Sequence, residues 1–251
     1  MSAVPALSIR GLSKHFGALA VARDIDLDLA HGARLGLIGP NGAGKTTLVN
    51  LLTGTLRPDA GTILVDGRAI DSLTAEQRVH RGLARTHQIN ALLGEFTVRD
   101  NVAMAVAERE RIGWRMLRYG SGWRSCRQQA DAHLSELGLA RDADRIAAEL
   151  PYGQQRLLEI AIALALRPRV LLLDEPAAGV PGPEAHLIHD ALDRLPADVA
   201  ILMIEHDMDL VFRFVQEIVV LVQGAVLTRG SPNEIRADPR VRSVYLGRSV
   251  A

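Results

Sequence analysis

A glycine-rich loop near the start of the chain constrains the fold more than any other feature. The loop Gly39–Thr47 reads GPNGAGKTT and fits the pattern G-x-x-x-x-G-K-[ST]. The apolar segment Ala33–Ile38 before it predicts a strand, and Thr46–Leu52 after it predicts a helix. In that context, backbone N–H groups and the helix N-terminus can surround phosphate oxygens. The sequence therefore predicts a phosphate-binding strand–loop–helix unit.

Each residue of this loop is a candidate nucleotide ligand. The set is Gly39, Pro40, Asn41, Gly42, Ala43, Gly44, Lys45, Thr46 and Thr47. The ammonium group of Lys45 can reach the β- and γ-phosphates, and the Thr46 hydroxyl can ligate Mg²⁺. Lys45 is conspicuous because the only other lysine in the chain is Lys14. The loop thus predicts ATP and Mg²⁺ as cofactors.

A second candidate site is the end of the apolar run Val170–Leu173, which is followed by Asp174 and Glu175. In open α/β folds, ligands bind at the carboxyl ends of the strands. Beside a phosphate loop, Asp174 suits Mg²⁺ and Glu175 suits polarising the attacking water. The alternative is that Asp174 only caps a helix. The phosphate loop favours the catalytic interpretation.

The other apolar patterns predict an α/β fold. Alternating segments at Leu7–Ile9, Ile25–Leu29 and Thr62–Val65 predict a small antiparallel sheet. Continuous apolar runs at Val199–Ile204 and Ile218–Val222 are typical of strands buried on both faces of a parallel sheet. The second run continues through Gln223-Gly224 into a hairpin with Ala225–Leu227.

Helical patterns dominate from about residue 75 to residue 150, as at Val98–Ala107 and Ala130–Leu139. We therefore predict one domain over 1–251, with a mostly parallel sheet, an antiparallel β subdomain and an inserted helical subdomain at about 90–155. Within the latter, 109–127 carries six arginines, two tryptophans and turn glycines at Gly120 and Gly122. This segment could contact lipid headgroups or a membrane protein, but a solvated helical insertion is the favoured interpretation.

Composition excludes several classes of protein. The formal net charge is zero, whereas a general nucleic-acid binder carries a basic excess. The single cysteine, Cys126, cannot form an internal disulfide. The N-terminal residues lack a basic start followed by an apolar run, and no apolar stretch approaches the roughly 18 residues of a membrane helix. We expect a cytosolic protein that can sit on a membrane partner.

The whole chain resembles the nucleotide-binding subunit of an ABC transporter. Leu150–Gln154, with the sequence LPYGQ, is similar to the signature segment of that family and lies about twenty residues before Asp174. The resemblance implies that Pro151, Tyr152, Gly153 and Gln154 contact the nucleotide of a partner subunit. It also implies roles for three other residues: Gln88 as the glutamine near Mg²⁺, His206 as the histidine that stabilises γ-phosphate charge, and Phe16 as the aromatic ring on adenine.

In that family, two ATP-binding subunits pack head to tail around two ATP molecules. The resemblance therefore implies an ATPase, a fold of the ABC type and a second ATP-binding subunit, identical or different. It also implies transmembrane permease subunits, an indirect link to a periplasmic binding protein, and a place on the cytoplasmic face of the inner membrane. No nucleic-acid partner is expected, since the chain has no long coiled-coil insertion.

The closer resemblance is to importer ATPases for branched-chain amino acids. It rests on Tyr152 in the signature, on the sequence DEPAAG at Asp174–Gly179, and on the tail Gly230–Val241 with Tyr245-Leu-Gly247. Relatives with similar tails serve urea, short amides or lipopolysaccharide export, so these cargoes stay open.

The chain departs from the family pattern at two prolines. Pro151 stands where serine or alanine is usual in the signature, and Pro181 stands where aspartate or asparagine is usual after Glu175. Pro151 can neither offer a hydroxyl nor donate an N–H. We expect these changes to affect the turnover rate more than nucleotide binding, which leaves a slowly hydrolysing regulatory module as an alternative.

Overall fold

The computed structural model describes residues 4–86, 92–112 and 121–246. Two sheets and the helices around them form an α/β structure. The first sheet is antiparallel and contains β1 (Leu7–Phe16), β2 (Leu19–Leu29), β4 (Ala60–Val65) and β5 (Arg68–Ala69), in the order β2-β1-β4-β5. It confirms the small antiparallel sheet, although β1 and β2 are longer than the alternating segments suggested.

The second sheet has six strands in the order β10-β9-β3-β8-β7-β6. They are β3 (Arg34–Ile38), β6 (Leu83–Arg85), β7 (Val170–Asp174), β8 (Ala200–Ile204), β9 (Glu217–Val222) and β10 (Ala225–Gly230). The first five of these pair in parallel, and β10 adds an antiparallel edge to β9. The predicted mostly parallel sheet and its hairpin are confirmed.

The described helices lie between these strands and after the last one. They are α1 (Lys45–Thr53), α2 (Ala75–His80), α3 (Val98–Arg109), α4 (Ser121–Glu136), α5 (Tyr152–Ala165), α6 (Gly182–Asp193), α7 (Met208–Phe214), α8 (Pro232–Ala237) and α9 (Pro239–Leu246). None of the helices within the described ranges is long and apolar enough to span a membrane.

Three predictions about the middle of the chain were wrong in detail. The region from 75 to 150 is not only helical, because β6 lies within it and extends the parallel sheet beyond β7. The helix predicted at Ala130–Leu139 is α4, which ends at Glu136, before a short 3₁₀ turn at Ala140–Asp142. Gly122 lies inside α4 and not in a turn. Of the 109–127 segment, residues 113–120 lie outside the described residues.

The parallel sheet is buried on both faces, which is why its strands are continuously apolar. In β7, Leu171 and Leu173 point to a core shared with the helical subdomain, and Val170 and Leu172 point to a core shared with α1 and the antiparallel sheet. Cys126 belongs to the first core, where burial raises the pKa of its thiol.

A buried arginine joins the far end of α1 to α2. The Arg78 side chain is 1% exposed and donates to the carbonyl oxygens of Leu51 at 2.6 Å and Leu52 at 2.7 Å. It also donates to the carbonyls of Leu73 and Asp71. The last carbonyls of a helix have no partner within the helix, so the guanidinium group supplies one.

We expect Arg78→Met to lower the free energy of unfolding by about 2–5 kcal/mol, because several buried carbonyls lose their donor together. Urea unfolding followed by circular dichroism measures this. Arg57→Met is the matched control, since Arg57 is exposed in the same part of the chain. Equal unfolding midpoints for the two variants would contradict the role given to Arg78.

Candidate nucleotide-binding site

The phosphate loop joins β3 to α1 at the carboxyl edge of the parallel sheet. Gly44, immediately before α1, has φ 102°, and a Cβ there would lie 2.6 Å from the Val21 carbonyl oxygen. Only glycine fits such a position easily. The Gly224 N–H donates to the Ala43 carbonyl at 2.9 Å, so the β9–β10 turn supports the loop. The loop is thus held between β2 and the β9–β10 hairpin.

Lys45 is the central cation of the loop. Its side chain is 7% exposed, and its Nζ donates to the carbonyl oxygens of Gly39 at 2.6 Å and Pro40 at 3.1 Å. Burial lowers the pKa of this ammonium group, and the nearby carboxylates Glu175 and Asp174 raise it. The amine is therefore positioned to exchange backbone oxygens for phosphate oxygens.

Ten of the predicted site residues line one cavity of about 560 Å³. They are Asn41, Gly42, Ala43, Gly44, Lys45, Thr46, Thr47, Asp174, Glu175 and His206. Leu19, Val21 and Ile204 complete the lining. Gly39 and Pro40, at the start of the loop, do not line the cavity, and their carbonyl oxygens accept hydrogen bonds from Lys45. The structure therefore brings together residues that are up to 165 positions apart in the sequence.

The acidic residues lie where β7 ends. Asp174 Oδ2 accepts from Arg85 Nη2 at 2.5 Å, and Arg85 also reaches Asn50 on α1. Glu175 has φ 49°, an uncommon conformation for glutamate, and its Oε1 lies 2.5 Å from His206 Nε2. The candidate general base and the candidate γ-phosphate histidine are therefore in contact where two strands end.

Glu205 holds these two ends in place. Its side chain is 4% exposed and accepts from the backbone N–H groups of Ala177 at 3.1 Å and His206 at 2.8 Å. The sequence analysis did not identify Arg85 or Glu205 as residues of the site. Arg85 is the last residue of β6, a strand that the sequence pattern did not predict. Glu205 was noted only as the residue before His206.

The aromatic residue predicted to lie on adenine is not among the residues that line the cavity. Phe16 is 53% exposed at the end of β1 and does not line the cavity. Leu19 and Val21 on β2 do line it, and Phe16 pairs with Leu19 across the strand turn. Gln88 lies outside the described residues. Phe16 and Gln88 therefore stay predictions.

The signature segment forms the first turn of α5, away from this cavity. Pro151 precedes the helix as its cap, and the Tyr152 hydroxyl donates to the Ala178 carbonyl at 3.2 Å. Gln154 Nε2 donates to Asp142 at 3.3 Å. The Gly153 N–H donates to Glu184 Oε2 at 2.8 Å. A carboxylate from α6 thus occupies the positive end of the signature helix, which sequence reasoning did not anticipate.

We expect Glu184→Ala to lower the free energy of unfolding by about 1 kcal/mol, because a charged acceptor at a helix N-terminus is lost. Glu184→Gln keeps an acceptor oxygen and should cost less. Thermal unfolding of both variants, with Glu136→Ala as an exposed glutamate control, measures the difference. A stability unchanged in Glu184→Ala would contradict the capping role.

Hard oxygen donors are present for a magnesium ion. The Thr46 hydroxyl and the Asp174 carboxylate line the same cavity, and Mg²⁺ prefers such ligands together with substrate phosphates. One Asp174 oxygen is bonded to Arg85, which orients the carboxylate. The residues present therefore fit the ion.

A phosphate loop at the edge of a parallel sheet, two carboxylates where a strand of the same sheet ends, and helices packed on that sheet define a P-loop NTPase of the ATP-binding cassette type. A family profile described as ABC transporter matches residues 22–178. A second, described as branched-chain amino acid ATP-binding cassette transporter, matches residues 225–251. The chain belongs to the ABC transporter family, whose ATP-binding subunits hydrolyse ATP to power transport.

Individual proteins agree with this assignment. The chain is 38% identical to the high-affinity branched-chain amino acid transport ATP-binding protein BraF of Pseudomonas aeruginosa, over 97% of this chain and 98% of the relative. It is also 38% identical to LivG of Escherichia coli K12, with the same coverage. A crystal structure of a nucleotide-free ATP-binding cassette from an ABC transporter superposes with a TM-score of 0.82 at 28% identity, covering 96% of this chain and 98% of that one.

Proposed function

We propose that this chain powers the uptake of branched-chain amino acids through separate membrane subunits. The identity of 38% to BraF and LivG, over 97% of the chain, carries the proposal. The family match at residues 225–251 supports it, because that tail is described for branched-chain amino acid transporters. Because the nucleotide site does not contact the transported molecule, the assignment of branched-chain amino acids rests on similarity to these relatives.

The arrangement of the cavity supports a mechanism for hydrolysis. Lys45 and the loop backbone bind the β- and γ-phosphates, and Thr46 and Asp174 would hold Mg²⁺, which neutralises phosphate charge when bound. Glu175 accepts a proton from the attacking water, and His206, in contact with Glu175, stabilises charge on the γ-phosphate. Gln88 and Phe16 complete the proposed site near Mg²⁺ and at adenine.

The signature residues act on the nucleotide of a second ATP-binding subunit. Pro151–Gln154 lie at the N-terminus of α5, where helix N–H groups favour an anion. In the single subunit, Glu184 already occupies one of these donors. A γ-phosphate from the partner therefore replaces this carboxylate or uses the neighbouring N–H groups. ATP binding favours the closed dimer because it contacts both subunits only in that state.

The assembly we propose lies on the cytoplasmic face of the inner membrane and includes two permease subunits, a second ATP-binding subunit and, indirectly, a periplasmic binding protein. Purification of the tagged chain from its native membrane, followed by mass spectrometry, tests the assembly. We expect two unlike membrane subunits and a sister or identical ATPase. Recovery of exporter-type subunits, or of no membrane protein, would contradict the proposal.

A transport assay tests the cargo separately. We expect uptake of labelled leucine to fall in cells whose only copy of this chain carries Glu175→Gln, while uptake of labelled urea stays unchanged. Loss of urea uptake with normal leucine uptake would contradict the assignment of branched-chain amino acids without affecting the ATPase.

A further inference from the structure

A second cavity, of about 420 Å³, lies at the edge of the parallel sheet opposite the nucleotide site. It is lined by residues just before β6 and β7, by the turn between β4 and β5, and by the ends of α2, α3 and α5. Six of the lining residues are arginines: Arg68, Arg81, Arg109, Arg111, Arg167 and Arg169. Six guanidinium groups therefore border one cavity.

Two of these six arginines form ion pairs among the described residues, and the carboxylates of Glu76 and Glu108 lie beside the lining His80. Asp66 is the lining carboxylate, and it contacts Arg169. Arg109 Nη2 lies 2.6 Å from Glu110. Within the described ranges, the other four arginines form no ion pair. Residues 113–120, which the structure does not describe, contain two more arginines and no acidic residue, so they cannot supply the missing negative charge.

The partial negative charge at helix C-termini is a simpler explanation for the arginines around this cavity, but it is too small to balance their positive charge. Three helices end at the cavity, and the C-terminus of each carries about half a negative charge. Together they offset about one and a half charges. The six guanidinium groups exceed the carboxylates of Asp66, Glu110, Glu76 and Glu108 by two charges, where the last two lie within 4.8 Å of a ring nitrogen of the lining His80. The cavity therefore remains positive after the helix ends are counted.

The backbone gives independent support. Arg111 and Arg167 follow the ends of α3 and α5 with φ 52° and φ 51°. Glycine is the usual residue in this left-handed conformation at a helix end, because a Cβ is unfavourable there. Both positions carry arginine instead, and both arginines line the cavity at which their helices end. If these positions only ended their helices, glycine would be favoured. Arginine there requires an unfavourable backbone conformation.

We propose that this cavity binds a small molecule through a phosphate group. The planar fork of a guanidinium group matches phosphate oxygens, and several forks around one cavity match a phosphomonoester or a diphosphate. The volume of about 420 Å³ lies within the range of small-molecule sites. Arg167 and Arg169 also link the end of α5 to the start of β7, so a bound ligand touches the two elements whose opposite ends carry the signature segment and Asp174.

Binding of inorganic pyrophosphate tests the proposal. The full chain with Lys45→Ala is used for calorimetry, so that the phosphate loop does not bind the probe. We expect the affinity to fall at least tenfold in Arg81→Ala/Arg167→Ala, since two exposed phosphate ligands are lost. Arg213→Ala/Arg240→Ala removes the same charge elsewhere and should leave the affinity unchanged. Equal weakening in both double variants would overturn the proposal.

Vesicles distinguish the source of the phosphate group. The same proteins are sedimented with phosphatidylcholine vesicles that contain or lack phosphatidic acid. Retention that depends on phosphatidic acid and is lost in Arg81→Ala/Arg167→Ala assigns the cavity to a lipid headgroup. Pyrophosphate binding without such retention assigns it to a soluble phosphorylated compound. Failure with both probes would show that the cavity binds no phosphate.

Discussion

Replacement of Lys45 by alanine should abolish ATP hydrolysis and weaken ATP binding by about ten- to a hundredfold. A hydrogen bond to a charged group contributes about 1.5–3 kcal/mol, and each 1.4 kcal/mol is tenfold in affinity. Lys45 is the only lysine that lines the described nucleotide cavity, so no neighbouring ammonium replaces it. Equilibrium binding of a fluorescent ATP analogue and phosphate release measure the two effects.

Lys14→Ala is the matched control, because it removes the other lysine of the chain. Lys14 Nζ lies 2.6 Å from Asp59 and does not line the cavity. We expect its ATP affinity to stay within about twofold of the wild type, which corresponds to less than half a kcal/mol. If both lysine variants bind ATP alike, the phosphate-loop assignment is wrong.

Replacement of Glu175 by glutamine should lower the rate of hydrolysis by about a hundred- to ten-thousandfold, the range for loss of a general base. The amide keeps the size of the side chain but cannot accept the proton. ATP binding should survive because Lys45 and the loop are unchanged. The closed dimer should accumulate with ATP and Mg²⁺, since its release requires hydrolysis. Single-turnover phosphate release and size-exclusion chromatography with ATP measure both effects.

Glu136→Gln is the control for this variant. Glu136 lies at the exposed end of α4, outside the nucleotide cavity, so its turnover should equal that of the wild type. If the complete transporter with cargo hydrolyses ATP no faster than its Glu175→Gln form, Glu175 is not the catalytic base. Such a result would favour the regulatory alternative that Pro151 and Pro181 suggest.

Local patterns were sufficient to predict the parallel sheet and the phosphate loop. The strands Val170–Asp174 and Ala200–Ile204 are buried on both faces, so continuous apolar runs marked them. The strand Leu83–Arg85 was missed because three residues are too few for a periodic signal, and only pairing with Val170–Leu172 makes them a strand. Arg85 was missed as the partner of Asp174 for the same reason.

The contacts that orient the site are long-range and therefore absent from any local pattern. Glu184 reaches Gly153 from another helix, 31 positions along the chain, and Leu19 reaches the cavity from a strand of the other sheet. The alternating pattern predicted that Ile25–Leu29 is a half-buried strand, but it did not show that the strand begins at Leu19 or that Leu19 lines the cavity. The resemblance to the ABC family identified the signature segment, but it did not identify Glu184 as the residue that caps the signature helix.

The Arg78 contacts have a mechanical consequence. The helix α1 is clamped at its loop end by the close approach of Gly44 to Val21, and at its far end by Arg78. A helix that is held at both ends is expected to tilt little. We therefore expect α1 to keep its position relative to β2 and α2 when a nucleotide binds, so that any movement on binding occurs in other elements.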